Sequence, residues 1–128
     1  MPFIRITALG PTLAPEQVSR LQTEMTELMA SVLGKKASLT SVLVEQPAVA
    51  GWAIGRAPAR VAAHVDATVT AGTNSPEEKA RFIERTMRLL KNVLGMELGP
   101  ATYVVVTEVP AQSWGYDGRT QESRLQAA

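Results

Sequence analysis

V-E-Q-P-A-V-A-G-W-A-I-G-R (residues 44–56) and T-E-V-P-A-Q-S-W-G-Y-D-G-R (107–119) carry glutamate, proline, tryptophan and arginine in the same order within one chain. Glu45/Glu108, Pro47/Pro110 and Arg56/Arg119 share one offset of 63 (45 to 108, 47 to 110, 56 to 119), and Trp52/Trp114 are offset by 62 (52 to 114). Four matched residue types in one order indicate a duplicated unit. Upstream of these passages the spacing continues. A helical pattern runs from Pro15 to Gly34, and another from Pro76 to Gly95, both offset by 61 (15 to 76, 34 to 95). Two copies are too few for a solenoid.

Each unit reads as strand, helix, strand and short ribbon, over about 2–58 and 59–120, in one 128-residue domain. Phe3 to Leu9 is a β-branched and apolar run ended by Gly10-Pro11. In the first helix Val18, Leu21, Met25, Leu28, Met29 and Val32 recur at steps of three and four, one apolar stripe. Pro15 suits its first turn, and Gly34 suits a C-terminal cap followed by Lys35 and Lys36. Ser75-Pro76-Glu77-Glu78 places serine and glutamate at capping-box spacing, and the predicted stripe of that helix is Ala80, Ile83, Met87, Leu90 and Leu94. Strands are expected at Ser38 to Glu45, Val61 to Thr70 and Thr102 to Val109. A helical crossover implies parallel pairing within each unit. The expected architecture is therefore α/β in the α+β sense: tandem β-α-β units giving a four-stranded sheet with two helices on one face. The other face, with Thr68 and Val105, calls for partner subunits.

Composition narrows the function classes. Lys+Arg of 13 against Asp+Glu of 12 gives no general electrostatic footprint for nucleic acid or an anionic membrane. The chain has no cysteine, which excludes disulfides, thiolate metal sites and cysteine nucleophiles. A single histidine with scattered carboxylates offers no metal constellation, and no cofactor is expected. No apolar run approaches the roughly 20 residues that span a bilayer, and the N-terminal stretch lacks the basic region and apolar core of a signal peptide. The default expectation is a soluble cytoplasmic protein.

The chain opens M-P-F-I-R-I-T-A-L-G, with proline as the first residue of a strand. Structurally this is permitted, because proline donates nothing to a ladder. Chemically it is suggestive, because removal of Met1 would leave Pro2 as a rigid secondary amine. An α-amino group titrates at about 7.7–8.0, and burial or a nearby cation lowers that value.

Pro2, the β-α-β unit of about sixty residues and the aromatic-glycine ribbons W-A-I-G and W-G-Y-D-G resemble the tautomerase superfamily. L-T-S-V (39–42) with the first ribbon is similar to 4-oxalocrotonate tautomerase, and E-V-P-A-Q-S-W-G-Y-D-G-R to cis-3-chloroacrylic acid dehalogenase. The resemblance runs from Pro2 to about Arg119. It implies a tautomerase/MIF-like fold, with two fused units per protomer and three protomers in a homotrimer. It also implies keto–enol isomerisation of a small 2-keto acid, with Pro2 as general base.

The resemblance further implies that Trp52 and Trp114 line a pocket, a role weighed against simple ribbon anchoring. Tyr103 falls at a pocket tyrosine of macrophage migration inhibitory factor and would donate to an enolate oxygen. Arg56 and Arg119, each following a ribbon, are the favoured carboxylate partners over Arg5 and Arg60. His64 with Asp66 is a further candidate, set against a packed or interfacial histidine. Family residues are also missing. The carboxylate-gripping arginines of the tautomerase align with Thr12 and Leu43, and in the second unit with Asn74 and Tyr103. Those of the dehalogenase align with Ala71 and Asn74. Its water-activating glutamate falls at Tyr116, beside Asp117, and its helix histidine at Met29. The alternatives are addition of water to an unsaturated acid, with Asp117 or His64 activating the water, and a non-catalytic trimeric scaffold.

Overall fold

Proline, serine and glycine set the boundaries of the long elements. In the computed structural model, which describes residues 2–127, the chain runs β1 (Phe3–Leu9), α1 (Pro15–Ser31), a 3-10 turn (Ala37–Leu39) and β2 (Ser41–Glu45). A first ribbon follows, β3 (Ala53–Ile54) and β4 (Ala57–Pro58). The second unit repeats this order: β5 (Ala62–Thr70), α2 (Pro76–Leu94), β6 (Tyr103–Val109), then β7 (Gly115–Tyr116) and β8 (Arg119–Thr120). A short α3 (Gln121–Ala127), absent from the sequence expectation, follows β8.

Both helices begin at the expected prolines. The capping box of α2 is formed: Ser75 Oγ accepts from Glu78 N–H at 3.1 Å, and Glu78 Oε1 accepts from Ser75 N–H at 2.8 Å. The N-cap of α1 is Ala14, which has no capping side chain, so Gln17 Oε1 takes the Ala14 N–H at 2.8 Å. α1 stops at Ser31, short of Gly34; Gly34 adopts φ +68° and lets Lys35 N–H reach back to the Met29 carbonyl at 2.9 Å. β2 begins at Ser41 rather than Ser38, because the 3-10 turn takes the intervening residues.

The sheet order is β2-β1-β5-β6, parallel within each unit and antiparallel where β1 meets β5. The central register exposes an approximate two-fold axis. Arg5 pairs with Asp66, its own counterpart at the offset of 61 (5 to 66). Phe3 pairs with Thr68, and their counterparts His64 and Thr7 pair with each other. In the helix layer Met25 and Thr86, at the same offset (25 to 86), meet at Thr86 Oγ1 to Met25 Sδ, 4.0 Å. The two units thus cover each other like two halves of a symmetric dimer.

One core lies between sheet and helices. Ile4, Ile6, Val65, Ala67 and Val69 face Leu21, Met25, Met29, Phe82 and Leu90, all fully buried. Each large side chain among them contributes about 1.5–3 kcal/mol from burial. The α1 stripe agrees with expectation, with Val18 and Leu28 half-buried at its margins. The α2 stripe does not. Its buried residues are Phe82, Thr86, Leu89, Leu90 and Val93, while Ala80 is exposed and Ile83 is 40% exposed. Thr86 at the central position breaks the apolar pattern, and Ile83 and Met87 form a second apolar strip beside Val104 on β6.

The repeat alignment also needs correction. Equivalent residues are offset by 61 through the helices and by 62 from the second strands onward, since β1 pairs Phe3 with Ser41 and β5 pairs His64 with Tyr103. Glu45 and Glu108, offset by 63 (45 to 108), are therefore not equivalent. Glu45 lies on the open face, where its Oε1 accepts from Thr7 Oγ1 at 2.9 Å and stands 4.0 Å from Arg5 Nη1. Glu108 points to the helix side; its counterpart is Gln46, and both hold the loop before a helix. A shift of one residue exchanges the faces of a strand.

Candidate active site

The pseudo-two-fold gives the chain two equivalent ends, and only one of them carries Pro2. Pro2 precedes β1, is fully buried, and its carbonyl accepts from Ser41 N–H at 3.2 Å. Its counterpart at the other end, at the offset of 61, is Ala63, so the second unit has no proline there. The register carries Pro2 to the level of Val69 and Glu108, so it lies at the end of the sheet where β5 and β6 finish and where the β5–α2 loop and the second ribbon begin.

That end is built from connected hydrogen bonds. Trp114 Nε1 donates to Thr70 Oγ1 at 3.1 Å, which ties the second ribbon to the sheet. Thr73 Oγ1 donates to the Thr70 carbonyl at 2.6 Å and accepts from Lys35 Nζ at 2.7 Å. Asn74 Nδ2 donates to the Leu33 carbonyl at 2.8 Å, joining the β5–α2 loop to the end of α1. Glu108 accepts from Lys79 Nζ and from Gly72 N–H, and these bonds, led by that of Lys79, hold its carboxyl below the usual range. Glu78 is likewise lowered, first by its backbone bond from Ser75 and then by Asn74.

In the sequence Lys35 is only a residue that follows a helix cap. In the fold it stands in the loop that leads to β2 beside Pro2. Burial pushes its ammonium below the usual lysine range, against the opposing charges of Glu78 and Glu108. The sequence does hold a signal. The repeat offset of 61 carries Lys35 to Met96, so the cation exists only in the unit that has the proline.

The predicted site residues divide between the two ends. The Pro2 end has Trp114 and Arg119. The other end has Trp52, Arg56, His64 and Tyr103. On the open face His64 pairs with Thr7 and with Tyr103, forming a row with Glu45. Tyr103 is 69% exposed. It stands two strands from β1 and five residues along from Val69, roughly 16 Å along the sheet and 10 Å across it from Pro2. Asp66 Oδ1 is engaged by Thr107 Oγ1 at 2.8 Å. The fold of the single chain therefore does not bring Tyr103 or His64 to Pro2.

The ribbons correspond closely. Trp52 and Trp114 each accept through their carbonyls, from Ala59 N–H at 2.8 Å and Gln121 N–H at 3.0 Å, and both partners keep the offset of 62 (52 to 114, 59 to 121). Their turns use two left-handed residues, Gly55-Arg56 (φ 57° and 71°) and Asp117-Gly118 (φ 49° and 75°). Arg56 and Arg119 are consequently not equivalent. Arg56 is inside its turn, while Arg119 begins β8 opposite Tyr116.

A family profile described as tautomerase enzyme matches this chain twice, over residues 2–59 and 64–124. The chain belongs to the tautomerase family. Among solved structures, the tautomerase fold here is similar to a macrophage migration inhibitory factor-like protein from Entamoeba histolytica, at 23% identity and TM-score 0.78, covering 93% of this chain and 97% of that one. It is similar to the asymmetric trimer of a wild-type fused 4-OT, at 18% identity and TM-score 0.81, covering 95% and 98%. A member of the cis-3-chloroacrylic acid dehalogenase family matches at 16% identity and TM-score 0.80, covering 98% and 91%. No curated protein matches the chain. At these identities the tautomerase likeness speaks to fold; chemistry has to come from the site.

Proposed function

We propose that this protein is a keto–enol tautomerase for a small 2-keto acid, with Pro2 as the general base after Met1 is removed. The observation that carries the reading is the placement of Pro2: buried, at the head of a central strand, and in a tautomerase family chain whose second unit has alanine there. The neutral proline nitrogen takes the proton from the enol hydroxyl, the oxygen becomes a carbonyl, and the same proton returns to carbon. Burial disfavours the ammonium, which keeps the nitrogen available as a base near neutral pH.

Lys35 and Arg119, with Trp114, are the groups of the same protomer available to the substrate carboxylate. Tyr103, with Trp52, Arg56 and His64, serves the site across a subunit boundary in a homotrimer, where its phenol donates to the enolate oxygen. The exposed Tyr103, together with Phe3, Leu43 and Val105 exposed on the same open face of the sheet, supports that assembly.

The test begins with the intact mass of the protein purified from its native host. Loss of Met1 is expected, and its retention would sink the amine mechanism. Conversion of phenylpyruvate and 2-hydroxymuconate is then measured for wild type and Pro2→Ala. Loss of a general base predicts a fall in kcat of about 10²–10⁴-fold. Equal rates for the two proteins would instead favour a non-catalytic trimeric scaffold.

A further inference from the structure

The two ribbons match in geometry but differ in how they are tethered. β4 continues through Ala59–Val61 into β5, so the first ribbon is fixed in the sheet at both ends. Beyond β8 the described chain does not re-enter the sheet. α3 folds back on the ribbon in its place. Glu122 N–H donates to the Ala111 carbonyl and Ser123 N–H to Thr120 Oγ1, both at 3.0 Å. Arg124 Nη2 donates to the Tyr116 carbonyl at 3.0 Å, and its guanidinium carbon lies 3.8 Å from the centre of the Tyr116 ring.

Arg124 is an unusual surface arginine. Among the described residues it has no acidic partner, and its Nε–H is buried without an acceptor. A side chain free to leave would recover the hydration of that N–H in water. It stays because the planar cation covers Tyr116 and its fork holds the adjacent backbone. Tyr116 is opposite Arg119 in the ribbon, and Trp114 is two residues before it.

We propose that Arg124 is a positioning residue: it latches the second ribbon through Tyr116 and so holds Trp114 and Arg119 at the Pro2 end of the sheet, where they receive the carboxylate side of the substrate. This rests on the tautomerase reading for its substrate. The latch itself is a physical claim about the ribbon. Its action is on binding, because the reacting proton moves through Pro2 alone.

The experiment uses the full-length protein. Steady-state kinetics with phenylpyruvate compare wild type, Arg124→Gln, Arg124→Lys and Tyr116→Leu. Arg124→Gln is expected to raise KM about tenfold, the scale of one cation–π contact and one hydrogen bond, with kcat within about twofold. Arg124→Lys, which keeps a cation over the ring, recovers most of that loss. Tyr116→Leu reproduces it, and a variant combining Arg124→Gln with Tyr116→Leu, measured alongside, is no worse than either single one. In a Trp52→Phe background Trp114 is the sole tryptophan. There Arg124→Gln should increase acrylamide quenching of its fluorescence about twofold, as the half-buried indole loses its cover. Unchanged KM and unchanged quenching in Arg124→Gln would overturn the proposal, as would a fall in kcat that accompanies general loss of thermal stability. If the wild type converts no 2-keto acid, the tautomerase reading falls, and the quenching comparison alone decides the latch.

Discussion

Lys35 shows what a single residue contributes beyond its identity. It is half-buried between α1 and the β5–α2 loop, and burial disfavours its charged form more than Glu78 and Glu108 favour it. Its folded pKa thus lies below the unfolded value of 10.5, so between the two the unfolded state binds more protons and stability rises with pH. Below the folded value the full cost of the buried ammonium is present. Lys35→Met should remove this alkaline rise, and should leave stability at neutral pH unchanged or improved. Denaturant unfolding of both proteins across the neutral-to-alkaline range checks it; a large loss of stability in Lys35→Met at pH 7 would contradict it. A cation kept against its own desolvation is what a substrate-binding role would require. From the sequence, Pro2 is legible because its chemistry is local. Lys35 is legible only as a lysine that the second unit lacks; its burial is not, because it arises from residues more than thirty positions away.

At the scale of elements, the boundaries are legible wherever a side chain acts on its own backbone. Ser75 and Glu78 form the α2 cap that their spacing announces. Ser75→Ala should cost about 1 kcal/mol, read as a lower denaturant midpoint with an unchanged slope. Ala14 caps α1 without a side-chain bond, and the Gln17 N–H already reaches the Ala14 carbonyl at 2.9 Å, so Ala14→Ser should gain less, about 0.5 kcal/mol. The midpoints of the two variants, measured against wild type, separate these effects. The α2 stripe departs from its periodicity for a definite reason. Helical periodicity detects a hydrophobic face only if each core position is apolar, and Thr86 occupies the pseudo-axis opposite Met25. The repeat itself holds the answer, since the offset of 61 carries Leu21, Met25 and Met29 to Phe82, Thr86 and Leu90.

The whole molecule poses the question of what covers the open face. Cross-strand rows run Leu43–Arg5–Asp66–Val105 and Glu45–Thr7–His64–Tyr103 over a sheet whose opposite side is the core. Val105 remains 39% exposed. If partner protomers cover this face, Val105→Glu places a further carboxylate beside Asp66 in a desolvated interface and should dissociate the assembly. Light scattering is expected to give the mass of three chains for wild type and a smaller mass for Val105→Glu, with far-ultraviolet circular dichroism retained. An unchanged mass for the variant would show that this face lies outside the interface. Among the described residues no helix is long and apolar enough to cross a membrane.

By itself the sequence determined the duplicated β-α-β order, the helix starts and the singular position of Pro2, because prolines, caps and alternating strands act within a few residues. The tertiary structure decided the rest. It showed that the offset changes from 61 to 62 between the helices and the second strands, which sets Glu45 and Glu108 on opposite faces. It also divided the candidate residues between two ends of one sheet, leaving Tyr103 and His64 away from Pro2. Register and the pairing of β1 with β5 depend on contacts between distant parts of the chain, and those exist only after the two halves have folded onto each other.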